Sequence, residues 1–128
     1  GVVSGTIYNA GSISVPIGVW DFNTRCSPSA GYYQNGWRVA CRVHIGVSLA
    51  NNTFSVHSVQ LGWTAADVKT VSYYAYAYGY YTFEQVVELT SKTTYYLNIS
   101  MPSTLGDPVT GRYLYSSDMK LVARCGYL

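Results

Sequence analysis

Trp37-Arg38-Val39-Ala40-Cys41-Arg42-Val43-His44-Ile45-Gly46-Val47-Ser48-Leu49 is the stretch that decides the fold. Trp37, Val39, Cys41, Val43, Ile45, Val47 and Leu49 are all apolar, and Arg38, Arg42, His44 and Ser48 fall between them. A helix repeats its apolar positions every three to four residues, whereas alternation sustained this long belongs to a strand. Successive strand side chains point to opposite faces. The odd-numbered face therefore reads as core, and the other carries a basic stripe that is wet or shared with a neighbour.

Working outward, the same alternation predicts strands over 6–9, 12–15, 19–24, 54–63, 69–81, 83–89, 94–101, 112–115 and 119–127. Turn residues separate them: Asn9-Ala10-Gly11, Pro16-Ile17-Gly18, Asn35-Gly36, Asn51-Asn52, and Gly106-Asp107-Pro108 with Gly111. Many short strands at this spacing predict an all-β, two-sheet antiparallel sandwich. Thr64-Ala65-Ala66-Asp67-Val68 is the one local helix candidate, and a single turn does not nucleate a helix unaided. Between Phe54 and Trp63 the apolar positions switch from even to odd numbers, which predicts a bulge near His57-Ser58. Met119, Leu121, Ala123, Cys125 and Tyr127 alternate so cleanly that the last strand reads as a central one.

Composition narrows the function classes. The 128 residues suit one domain, taken as 1–128. Of these, 48% are hydrophobic and only 11% charged, which argues against a disordered chain. No run approaches the roughly 18 apolar residues of a membrane span, and Gly1-Val2-Val3-Ser4-Gly5 lacks the features of a signal peptide. The formal charge of +2 is spread along the chain, so no basic face marks a nucleic-acid partner. Cys26, Cys41 and Cys125 fit neither a redox CxxC nor a zinc pair and read as small core hydrophobes.

Chemistry-bearing constellations are sparse. Glu84 and Glu88 share a strand face about 13 Å apart by strand rise, too far for a paired-carboxylate mechanism. His44 and His57 lack an adjacent nucleophile motif, and no GxSxG, HExxH, P-loop or GxGxxG occurs. No catalytic residue, metal site or cofactor is therefore assigned, and the chain is expected not to be an enzyme. Asn51-Asn52-Thr53 and Asn98-Ile99-Ser100 match the glycosylation pattern, the second inside a predicted strand, and both read as accidental.

Two groups of residues remain as candidates. Ser72-Tyr73-Tyr74-Ala75-Tyr76-Ala77-Tyr78-Gly79-Tyr80-Tyr81 is the densest part of a chain with 14 tyrosines. Extended, it projects Tyr74, Tyr76, Tyr78 and Tyr80 from one face, and such a row serves as a core layer, a subunit interface or a ligand surface. Arg38, Arg42 and His44 form the basic stripe, a candidate clamp for a carboxylate or an acidic sugar.

Ser14-Val15-Pro16-Ile17-Gly18-Val19-Trp20-Asp21-Phe22 resembles the opening of bacteriophage tail-fibre and tail-spike tip domains. Lys92-Thr93-Thr94-Tyr95-Tyr96-Leu97-Asn98 and Met119-Lys120-Leu121-Val122-Ala123-Arg124 resemble their closing strands. The resemblance implies a tumour-necrosis-factor-like jelly-roll knob, a homotrimer, on the virion as the C-terminal tip of a tail fibre or tail needle. Such a tip would contact host surface glycan or an envelope component and aid envelope penetration. Its fibrous or coiled-coil stalk would lie upstream of Gly1, since no heptad run occurs here. In a trimer Arg38 and Arg42 would border an inter-subunit groove suited to small anions. The rival expectation is a monomeric carbohydrate-binding or adhesin module using the same tyrosines.

Overall fold

A computed structural model describes residues 5–27, 29–35, 40–64, 72–101, 112–115 and 120–127, with backbone alone at 29–35, 40–41, 62–64, 72–78, 112–115 and 127. All regular structure among them is β: β1 (Ile7–Val15), β2 (Gly18–Cys26), β3 (Ser29–Asn35), β4 (Ala40–Ser48), β5 (His57–Thr64), β6 (Ser72–Tyr78), β7 (Tyr81–Leu89), β8 (Thr93–Ser100), β9 (Arg112–Tyr115) and β10 (Lys120–Tyr127). A four-stranded sheet, β1-β8-β4-β5, and a three-stranded sheet, β10-β2-β7, pack as an antiparallel sandwich. A further set, β6-β3-β9, repeats the second sheet's order with the strands that precede or follow its members.

The pairing follows a nested rule. β1 pairs with β8, β2 with β7, β3 with β6 and β4 with β5. The chain from β1 to β8 is thus one long antiparallel ribbon with its tip at the β4–β5 connection. Folding that ribbon brings β8 against β4, and the tail of the chain adds β9 to β3 and β10 to β2.

The core lies where the two sheets face each other. Val43, Ile45 and Val47 of β4 are fully buried, as the odd-numbered alternation predicts, and so are Leu97 of β8, Phe22 and Thr24 of β2, Tyr81 at the start of β7, and Met101. The Phe22 and Tyr95 rings, 4.7 Å apart and tilted at 42°, join β2 to β8 across the interior. Each buried Val, Ile, Leu, Phe or Met among them contributes about 1.5–3 kcal/mol by leaving water. On the other face of β4, Arg42 is exposed and His44 half-buried, but Gly46 and Ser48 are buried, because the start of β5 closes on Gly46 and the connection from 49 to 56 folds back onto Ser48. Asn98 fastens that connection, its Nδ2 donating to the Ala50 and Thr53 carbonyls at 2.8 Å each.

Several expectations are corrected. Asn9-Ala10-Gly11 is not a turn but a bulge inside one strand, with the register shifting between Asn9 and Gly11. The Asn9 amide spans the bulge by donating to the Gly11 carbonyl at 3.0 Å. β3 forms where no strand is expected, held between β6 and β9. No bulge breaks the β4–β5 ladder, which runs in step from Val47↔His57 to Ala40↔Thr64. The change of phase arises because Phe54 and Val56 precede the strand. Leu49 lies past the end of β4 and is 54% exposed. β10 is an edge strand among the described residues, pairing with β2 alone, and Cys125 on it is exposed rather than a core hydrophobe. Trp37, Arg38, Val39 and most of the local helix candidate lie outside the described residues.

Candidate functional site

A polar hollow lies on the outward face of β10-β2-β7. Its volume is about 390 Å3, and its walls are Asp21, Asn23 and Arg25 of β2, Glu84 of β7, and Lys120, Val122 and Arg124 of β10. The alternation that sends Phe22 and Thr24 into the core sends Asp21, Asn23 and Arg25 outward. Antiparallel register does the rest. Arg124 stands opposite Asp21, Val122 opposite Asn23, Lys120 opposite Arg25, and Glu84 opposite Asn23 on the other side. A shallower extension of about 250 Å3 continues over Thr82 and Glu84 of β7.

Three cations, Arg25, Lys120 and Arg124, thus face two carboxylates, Asp21 and Glu84, an excess of one positive charge. Asp21 Oδ1 is buried without a hydrogen-bond partner. A buried acceptor left unsatisfied costs about 1–3 kcal/mol. The arginine forks match a carboxylate or sulfate in two parallel hydrogen bonds, and the carboxylates accept from sugar hydroxyls.

Trp20, whose indole Nε1 donates to the Pro16 carbonyl at 2.9 Å, fixes the turn that leads β1 into β2. Gly18 in that turn adopts φ 142°, a conformation that side-chain-bearing residues rarely take. In this sheet Trp20, Asp21 and Phe22 of β2 stand opposite Cys125, Arg124 and Ala123 of β10.

The residues singled out from the sequence lie elsewhere. Arg42 and His44 share the outer face of β4, opposite Gly62 and Gln60 of β5. The His44 ring stacks on Phe54 with centroids 3.8 Å apart, and burial pulls its pKa below the usual value. Arg38, their third member, lies outside the described residues. In the tyrosine row, Tyr74, Tyr76 and Tyr78 sit on alternate positions of β6, opposite Tyr33, Gly31 and Ser29 of β3. Their side chains lie outside the described residues. Tyr80 leaves the row, because β6 ends at Tyr78 and Tyr80 stands 82% exposed before β7 begins.

His57 and Tyr81 close the seam between the sheets, with Nδ1 2.9 Å from the phenol oxygen and the ring stacked on Phe83 at 4.5 Å. Burial first, and Cys26 second, hold the Tyr81 phenol well above its usual pKa. Burial pushes the Cys26 thiol up to about 12, so it stays protonated at neutral pH and is a poor nucleophile. Among the described residues no group of three or more His, Cys, Asp or Glu is placed to hold a metal ion.

Compared with known proteins, the chain matches no protein-family model, no curated protein and no solved structure.

Proposed function

We propose that this chain is a non-enzymatic attachment domain, a trimeric jelly-roll knob at the tip of a phage tail fibre or tail needle. The outward face of β10-β2-β7 is then its contact with an acidic host-surface glycan. The observation that carries the reading is the pairing scheme. A ribbon of nested antiparallel strand pairs folded into two facing sheets is a feature that jelly rolls share, and it supports the reading. Parts of the first and last of the three stretches that resemble tip domains pair in one sheet, as β2 and β10, which supports it further. The excess positive charge of the hollow favours a sugar bearing a carboxylate or sulfate.

Sedimentation at micromolar concentration tests the assembly and is expected to give three times 14.1 kDa. A glycan array tests the ligand: binding is expected among acidic glycans, to weaken with salt, and to be lost on Arg124→Ala. A second reading is a monomeric carbohydrate-binding module, in which the same hollow of three cations and two carboxylates takes the sugar. A mass of 14.1 kDa with intact glycan binding selects it over the knob. A monomer that binds no glycan removes both.

A further inference from the structure

We infer that the free edge of β10 is a docking site for an extended segment of another polypeptide, one in which apolar residues alternate with acidic ones. β1 and β10 are edge strands of their sheets among the described residues, and they lie against each other across the sandwich. Each of β1 to β8 has its nested partner, whereas β10 has none and pairs with β2 alone among the described residues.

Two adjoining hollows, of about 390 and about 340 Å3, run along this open side between Ala10–Pro16 and Lys120–Ala123. Their lining is largely apolar, with Ile13 facing Leu121 and Ala123, and Val122 is 38% exposed on the strand itself. A strand added to β10 would satisfy its outward N–H and C=O groups and lay alternate side chains into these hollows. β1 is the poorer acceptor, because its own edge is interrupted by the bulge at Asn9–Gly11 and ends at Pro16.

Charge selects the occupant. On its outward face β10 carries Lys120 and Arg124, two positions either side of Val122. Antiparallel self-pairing centred on Val122 would set Lys120 of one copy against Arg124 of the other, a like-charge contact that opposes a second copy of this chain. An incoming strand with acidic residues on that face instead meets both cations. The regular register runs from Lys120 to Cys125 before shifting, which suits a segment of about six residues.

The probe is an acetylated nonapeptide in which valine alternates with glutamate, and the control replaces each glutamate with lysine. Amide exchange and tryptophan fluorescence, read on the whole chain at low salt, report binding. The expected result is new protection of the outward amides of 120–125 by the glutamate peptide. The lysine peptide should bind at least about tenfold more weakly, and the Lys120→Glu, Arg124→Glu double variant should reverse the preference. Equal binding of the two peptides, protection away from β10, or no binding of the glutamate peptide at millimolar concentration overturns the proposal. So does a free chain whose outward β10 amides are already protected, whether by its own residues or by a second copy.

Discussion

Asn98 is wholly buried, yet each polar atom of its side chain has a use. Its amide donates to the carbonyls of Ala50 and Thr53 at 2.8 Å, and its oxygen accepts from the Asn9 amide at 3.3 Å. Asn98→Ala strands those partners, and at about 1 kcal/mol per hydrogen bond plus desolvation the loss should reach about 2–4 kcal/mol. Urea melts measure it, and a loss below about 0.5 kcal/mol would show that the 49–56 connection holds without this side chain. Nothing local in the sequence announces the role, since Asn98-Ile99-Ser100 reads as a glycosylation match and its three partners are distant in the chain. His44 was legible as a member of a basic stripe but not as the ring that Phe54 covers. Because burial lowers its folded-state pKa, the unfolded chain binds the extra proton first. Stability should therefore fall as pH drops through about 6.5, and the loss should level off below the folded-state pKa. Melting curves between pH 8 and pH 4 test this against His44→Gln, which should have a shallower slope; an unchanged slope assigns the pH dependence to another group.

At the scale of the strands, β4 is paired on both sides at Gly46, which stands opposite Ser58 of β5 and Asn98 of β8. A methyl group at Gly46 would lie 2.2 Å from the His57 carbonyl oxygen and 2.8 Å from the Ser58 Cα, both backbone atoms that move only with their strand. Gly46→Ala should therefore cost stability at or above the upper end of the usual overpacking range, about 1–3 kcal/mol, although alanine suits strands better than glycine on propensity alone. A thermal melt that rises or stays level for Gly46→Ala would mean that β4 and β5 separate more easily than this approach implies. Strand β4 itself was legible because Val43, Ile45 and Val47 on one face of it are core, and β8 because Tyr95, Leu97 and Ile99 are. β3 was not, since Ser29-Ala30-Gly31-Tyr32-Tyr33-Gln34-Asn35 contains no alternation and is placed by its neighbours β6 and β9. The apolar run of β10 read as a central strand for a sound reason, its alternation, and the structure leaves it at an edge.

For the whole molecule, the nested ribbon means that most pairings close long loops. β2 meets β7 with Gly18 opposite Leu89, β1 meets β8 with Ile7 opposite Ser100, and β10 meets β2 with Lys120 opposite Arg25. The polar hollow inherits this geometry. Asp21, Glu84 and Arg124 are unremarkable in sequence and converge only when three distant strands align, which is why the candidate site was illegible while the sandwich around it was not. The same non-local pairing sets the folding rate. The β4–β5 hairpin can form early, but it buries little until β8 arrives on its other side, and β2 has no sheet until β7 closes onto it. Loop-closure entropy is thus paid before most burial is gained. Refolding of the isolated chain should therefore fall in the millisecond-to-second range typical of all-β sandwiches, with any slower phase traceable to its four prolines. Stopped-flow fluorescence after dilution from urea measures it. A dominant submillisecond phase would require local structure to carry the transition state, which is incompatible with a ribbon whose strands are joined across the length of the chain.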